Sequence, residues 1–465
     1  MPPIDRLSAL DAAFLDLDSA RAPLHVGWTI LVDGRAPSLS ALRRHVEGRL
    51  EHVPRFRRRV AQPPLGLGDQ HWADDPGFDI ARHVHAMTLA PPAGRGELRE
   101  LAGALLSAPL DRAHPLWRMY LVGGLQGGGW AVVGQAHHAL VDGIAAVEVA
   151  MLLFDAAGHP APPSRPVRWA PAAPPSAPAA AAAFGRARLA GAARATAATV
   201  THGRDLSGAV RRLAAPAPAT TLDRSATSRR AVGFGITSLQ GAREAGRRHG
   251  ATINDVLLAA STLALGRALH RRGESPATVK VLVPVNVRAG GEAAGMGNRI
   301  SFVTLSLPVA VTDPIDILHH VCAQTRARKT GGDAAPLEAL SEVAELLPGG
   351  ARRVVARAAA RAASFNAVVS NVRGPPVELE LLGRRVSAIF PAVPFLRGHA
   401  LSIGALSYRG RLHCGVYADA VVAPDAPDVA RDLEAAFDAL RVVSRSDEPP
   451  TRARSAPGLQ RAAKR

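Results

Sequence analysis

Residues 137–143 read His137-His138-Ala139-Leu140-Val141-Asp142-Gly143, two adjacent imidazoles with a carboxylate and a glycine close behind. An unperturbed imidazole titrates near about pH 6.5, so either ring can take a proton from a hydroxyl group and return it. A base must hold one tautomer and one orientation, which a carboxylate or a carbonyl on the other ring nitrogen provides. Asp142 could do that, could pair with an arginine to brace the turn, or could cap the following helix; spacing leaves all three open. Gly143 permits close backbone approach or a positive φ. A packing histidine beside a capping aspartate fits the same spacing. There is no Gly-x-Ser-x-Gly elbow, and Cys322 and Cys414 lie in no catalytic motif, so this is a base without an adjacent nucleophile.

Two elements must position these groups. Trp130 to Ala136 is a mostly apolar run after glycines and predicts a buried strand, and Ile144 to Phe154 predicts a buried helix. The histidines then occupy a strand-to-helix turn between rigid elements, where reactive groups are commonly held. Further upstream, Trp117 follows Pro115 at the start of an apolar run and can pack behind the turn.

HHALVDG resembles the His-His-x-x-x-Asp-Gly signature of the bacterial wax ester synthase/diacylglycerol acyltransferase family, part of the wider group of CoA-dependent acyltransferases. Other blocks follow in the family's order. They are LSALDAAFL from Leu7, PLDR at 109–112 with Pro115-Leu116-Trp117, Asn254-Asp255, Gly297-Asn298 before a strand, and Ser370-Asn371-Val372-Arg373-Gly374-Pro375. The first block lacks the family's usual proline, and Arg373 stands where a proline is common. The resemblance implies that His138 is the general base and His137 its supporting neighbour. It also implies that Asn254-Asp255 contributes to activity, with Asn254 donating to the acyl carbonyl oxygen as charge develops. Asn298 would line a tunnel, and Ser370 and Asn371 would lie near the reaction centre. Each has a structural alternative: Thr252 or Asn254 as a helix cap with Asp255 near the positive helix end, and turns at Asn298 and Ser370-Asn371.

At 465 residues the chain is long enough for two domains, and 47% hydrophobic residues is ordinary for a globular protein. A net charge of +17 reflects either an anionic partner or a compositional richness in arginine. No aromatic-interleaved basic stripe accompanies it, so a membrane surface is favoured over nucleic acid. The dense run VPRFRRRV at 53–60 reads as a solvated loop or edge, with a docking patch for CoA phosphates or lipid headgroups as the functional alternative. Two cysteines far apart suggest a reducing compartment. The N-terminal stretch carries acids early and does not read as a secretory signal. Nowhere do about 18 to 20 apolar residues run without charge or proline, the length needed to span a bilayer.

Organisation follows composition. Residues 1–158 form a first lobe with the histidine motif. A Pro/Ala-rich and helical crossover covers 159–227, a second lobe 228–443, and a basic disordered tail 444–465. The resemblance makes the fold α/β: two chloramphenicol-acetyltransferase-like lobes of mixed sheet flanked by helices, with an active-site channel between them. It implies an O-acyltransferase with acyl-CoA as co-substrate, no other cofactor, and no metal. The acceptor would be diacylglycerol or a long-chain alcohol. The location would be cytoplasmic, peripheral to the inner membrane face or a lipid droplet, without nucleic acid. Alternatives are a carrier- or amine-dependent acyltransferase or condensation enzyme of the same superfamily, a metal phosphoesterase on His137, His138 and Asp142, and a non-catalytic lipid- or nucleic-acid-binding protein.

Overall fold

The computed structural model describes residues 5–62, 70–141, 153–159, 169–173, 214–224, 227–286, 300–330, 349–362 and 364–446, with isolated positions between 147 and 189. Asp142, Gly143 and Asn298 lie outside the described residues, as do most of the predicted helix at 144–154, nearly all of the crossover, residues 331–348 and the tail beyond 446.

The first half begins with β1 (Asp5–Arg6), α1 (Ala9–Leu17), β2 (His25–Val32) and α2 (Leu39–Arg49). It continues through β3 (Arg58–Ala61), β4 (His71–Asp74), β5 (Val84–Ala93) and α3 (Arg95–Ser107) to β6 (Trp117–Leu125), β7 (Trp130–His137) and β8 (Asp155–Ala156). The second half opens with β9 (Arg230–Ser238), α4 (Leu239–Arg248), α5 (Ile253–Arg271), β10 (Val279–Asn286) and β11 (Ile300–Leu307). Then come α6 (Pro314–Thr330), α7 (Gly349–Ala362), β12 (Ala367–Val372), β13 (Leu379–Leu381) and β14 (Arg384–Ala392). It closes with β15 (Leu401–Tyr408), β16 (Arg411–Asp419) and α8 (Ala426–Ser446). The helix starts are chemically explicit. Ser8 accepts from the Asp11 amide at 3.0 Å while Asp11 accepts from the Ser8 amide, and Ser38 accepts from the Ala41 amide at 3.2 Å.

Among the described residues two sheets carry the fold, with a small three-stranded sheet beside them. The first runs β5-β6-β7-β2-β14-β13-β8 and the second β11-β10-β12-β15-β16-β9. All eight residues of β7 are buried, and the strand is antiparallel to both β2 and β6, so the histidine turn leaves the centre of the sheet. β14 belongs to the first sheet, although its sequence position lies within the expected second lobe at 228–443. β14 pairs with β2, Ile389 opposite Ile30, and so covers an edge that would otherwise be open. The next strands return to the second sheet, and a Cβ at Gly415 would overlap the Pro391 carbonyl oxygen. The two sheets are thereby interlocked.

The cationic run at 53–60 ends in β3, a half-buried edge strand of the small sheet, and its arginines are engaged within the fold. Arg55 and Arg58 both bind the Asp5 carboxylate, at 3.0 and 2.9 Å, and Arg58 also reaches Asp74 at 3.0 Å. Arg57 is buried and donates to the Glu47 carbonyl at 3.1 Å. Arg55 and Arg58 thus tie the small sheet to its own carboxylates, and Arg57 ties it to α2.

Candidate active site

His137 ends β7 and His138 begins the turn, so the two rings diverge. His137 is 1% exposed, and its Nδ1 accepts from the Ala139 amide at 3.0 Å. The ring proton therefore sits on Nε2, which faces the Asp18 carboxylate at 3.8 Å. Burial pushes the His137 pKa down to about 3, against the smaller opposing pull of Asp18, so the ring is neutral. A sealed, neutral imidazole cannot meet a substrate; it supports the turn.

His138 is partly buried, and its amide donates to the Leu24 carbonyl at 2.8 Å. Its ring stacks on Phe14 of α1, centroids 4.3 Å apart and planes at 17°. The carboxylate set beneath the pair is Asp18, at the C-cap of α1, which the sequence reading did not single out. It accepts from the Leu24 amide and from Arg112, both at 2.9 Å, and lies 4.0 Å from His25. Burial alone would raise its pKa, but His137, Arg112 and the Leu24 amide outweigh that and hold it below the usual range. One signal was available. LDLDS places Asp16 and Asp18 in or beside the last turn of a helix, where negative charge is unfavourable and implies a tertiary partner. Arg112, from the PLDR block, is that partner for Asp18 and also donates to the Leu15 carbonyl at 2.6 Å.

His138 borders a cavity enclosing about 1410 Å³ of empty space, part of it open to solvent. The first sheet contributes Val26, Trp28, Ile30 and Ile389, and Met119 and Trp117 line it near the turn. Val141, Val149, Leu153 and Phe154 follow the motif, and Pro284, Val285, Val372 and Leu406 come from the second sheet. His138 is the one ionisable side chain on this wall among the described residues. Trp117 is buried, donates its indole N–H to the Phe56 carbonyl at 2.8 Å and stacks on His83 at 4.6 Å, so it is a fixed wall behind the turn.

Ser370 and Asn371 of β12 border the same cavity, so the structure brings them together with His138. The turn after them is held without the family's proline: the Gly374 amide donates to Ser407 Oγ at 3.2 Å. Asn254 and Asp255 are not on this wall. The Asp255 carboxylate accepts from the Thr252 amide and hydroxyl at 2.8 and 2.7 Å and from the Thr325 hydroxyl at 2.8 Å. It closes a capping box and ties α5 to α6, a structural task. Cys322 and Cys414 are buried free thiols, and burial pushes Cys414 up to about 12, so it is chemically quiet.

This arrangement fits known proteins along nearly its whole length. Residues 7–257 match the wax ester synthase/diacylglycerol acyltransferase catalytic domain and residues 296–441 the C-terminal domain of that family. A probable diacylglycerol O-acyltransferase of Mycobacterium tuberculosis is 30% identical over 458 residues, covering 95% of this chain and 97% of that protein. A second, putative diacylglycerol O-acyltransferase of the same species is 29% identical over 463 residues, covering 96% and 92%. Among solved structures, the wax ester synthase/diacylglycerol acyltransferase from Marinobacter aquaeolei VT8 superposes with a TM-score of 0.69 at 23% identity, covering 95% of this chain and all 100% of that one. The first condensation domain of the calcium-dependent antibiotic synthetase shares the fold at a TM-score of 0.60 and 16% identity, covering 96% and 97%. The chain belongs to the wax ester synthase/diacylglycerol acyltransferase family and is an acyltransferase.

Proposed function

We propose that the protein moves a long-chain acyl group from acyl-CoA to the hydroxyl of diacylglycerol or a long-chain alcohol, with His138 as general base. The observation that carries this is His138, the one ionisable side chain among the described residues that border a largely apolar cavity walled by both sheets. Such a wall suits an acyl chain and keeps water from competing with the acceptor. The imidazole removes the acceptor hydroxyl proton as the oxygen attacks the thioester carbonyl carbon. The C–O bond forms, the carbonyl oxygen gathers negative charge, and the C–S bond then breaks. The departing thiolate takes the proton back from the imidazolium, which restores the base. Ser370 and Asn371 are the polar side chains placed to steady the oxyanion. His137 and Asp18 hold the turn that presents His138. No cofactor or metal beyond the co-substrate is needed for these steps.

A lipid surface, and not nucleic acid, is the partner in this proposal, with the protein at the inner membrane face or a lipid droplet. Among the described residues no helix is long and apolar enough to cross a membrane. α7 exposes Val354 at 68% and Val355 at 43%, flanked by Arg353, Arg357 and Arg361 and by no acidic residue of its own. Arg353 binds Asp16 of α1 at 2.9 Å, and Phe14 of that helix stacks on His138, so the exposed face lies close to the reaction turn.

The test is palmitoyl-CoA offered with dipalmitoylglycerol, hexadecanol and hexadecylamine, with products separated by chromatography. Wild type should acylate an alcohol, and His138→Ala should lose a factor of about 10² to 10⁴ without unfolding. Full transfer by His138→Ala would remove the base. Preference for the amine would favour the condensation-type reaction of the structural neighbours.

A further inference from the structure

Trp117 also borders a second pocket, about 1010 Å³ of empty space partly open to solvent, at the β5 edge of the seven-stranded sheet. Its chemistry is the reverse of the acyl cavity's. Arg82, His85, His114 and Arg118 line it, with Tyr120 and the buried His83.

Several arginines of this lobe hold carboxylates: Arg49 binds Asp155, Arg55 and Arg58 bind Asp5, and Arg112 binds Asp18. Arg82 and Arg118 do not. Arg82 donates to His114 Nε2 at 3.3 Å and Arg118 to the Tyr120 hydroxyl at 3.4 Å, neither of them a carboxylate. His114 in turn donates through Nδ1 to Asp75 at 3.2 Å. The one carboxylate on the pocket wall, Asp111, is exposed and accepts from the Ala113 amide at 2.9 Å. Two guanidinium groups therefore line the pocket with donors to spare and without an ion pair of their own. His83 adds the opposite polarity. It is 2% exposed, its Nδ1–H donates to the Trp117 carbonyl at 2.9 Å, and its Nε2 lone pair has no partner.

We propose that this pocket binds a phosphate monoester, with Arg82 and Arg118 on the phosphate oxygens and His83 Nε2 accepting from an O–H of the same ligand. Planar guanidinium groups match phosphate oxygens in pairs. A monoester also offers the O–H, either on the phosphate, whose second pKa is about 6, or on a neighbouring ribose. Two molecules could bring this group: the nucleotide end of acyl-CoA, which rests on the donor proposed above, or a phosphatidate headgroup at a lipid surface.

Equilibrium binding to the full-length protein separates them. CoA is compared with dephospho-CoA by calorimetry, and phosphatidylcholine vesicles containing phosphatidate are compared with vesicles containing diacylglycerol by co-sedimentation. Binding tighter by on the order of tenfold or more is expected for whichever monoester is used, since charge-assisted bonds are at stake. Arg82→Gln/Arg118→Gln should erase that difference, and Arg118→Lys should keep part of it. A preference for CoA identifies the nucleotide source, and one for phosphatidate the headgroup. Equal binding within both pairs, or a preference that survives the double substitution, overturns the site. Loss of transfer in His138→Ala leaves these binding results untouched, so the two proposals fail separately.

Discussion

The two sheets that wall the acyl cavity are backed by different materials. Behind the second sheet the core is almost wholly Ala, Val, Leu and Ile, with Phe437 its one aromatic among the described residues. Its central element, α5, is buried on nearly every face between neighbouring helices and strands. Behind the first sheet the core holds Phe14, Phe56, Trp72, Trp117 and Trp130, and buried among these rings are His25, His83 and His137. Burying polar groups is costly unless they are held by partners, so they persist where orientation matters. One lobe is a scaffold that offers hydrocarbon wall, and the other orients a reactive group. The same cavity needs both, which accounts for β14 crossing between them.

The largest expected effect tests the orienting lobe. His138→Ala should lower transfer by about 10² to 10⁴ while leaving the thermal midpoint within a degree or two, because the ring sits on a cavity wall and not in the packed interior. A comparable deletion in the scaffold should behave oppositely. Leu265 is fully buried in the second core, so Leu265→Ala should reduce stability by about 2 to 5 kcal/mol, measured by denaturant unfolding. The residual folded enzyme should turn over normally. A selective loss of turnover in Leu265→Ala at full folding would erase the proposed division of labour.

Much of this division was legible in the sequence, for local reasons. Ser8, Ser38 and Thr252 announce helix starts because capping is a contact over three residues. His138 was legible because its motif is contiguous and lies between a strand and a helical pattern. Asp18 was not, since its partner Arg112 lies 94 residues away and no local rule pairs them. The strand at β14 was readable from its apolar run, but such a run does not fix which strand lies alongside. The arginines at 53–60 show the same limit. Composition counts their charge, while the acids that neutralise it, Asp5 and Asp74, are fixed only by the fold. Asp255 shows the converse: the family motif suggested chemistry, and the geometry displays the helix-start contacts that the local capping rule describes.

Acid sensitivity cuts across the two lobes and sharpens what is special about the first. Burial pushes His25 to about 4 and His137 to about 3 in the first lobe, and His399 and His413 to about 4 in the second. In the unfolded chain each titrates near about 6.5, so below that pH the unfolded state takes up protons that the folded state refuses. Stability is therefore full above about pH 6.5 and falls as the pH drops toward 4. The limiting slope is about 1.4 kcal/mol per pH unit for each such imidazole. His137→Gln and His413→Gln should each flatten the unfolding free energy against pH by up to one proton's worth. Only His137→Gln should also reduce transfer at pH 7.5, because only that ring holds the turn bearing His138. Equal activity in the two variants would make His137 a packing residue like His413.

The smallest expected effect decides between a local and a catalytic role for the Asn254-Asp255 block. Asp255→Ala removes the carboxylate that accepts from Thr252 and Thr325, so α5 loses its capping box and its tie to α6. A lost cap typically lowers stability by about 0.5 to 2 kcal/mol. Replacing Asp255 by Asn keeps an acceptor oxygen at the helix start and should recover part of that. Both variants should retain kcat and KM for palmitoyl-CoA within about twofold at a temperature where they are folded, since neither Asn254 nor Asp255 borders the cavity. A hundredfold fall in kcat with an unchanged denaturation midpoint would mean that α5 reaches the reacting atoms, and the second lobe could no longer be regarded as scaffold alone.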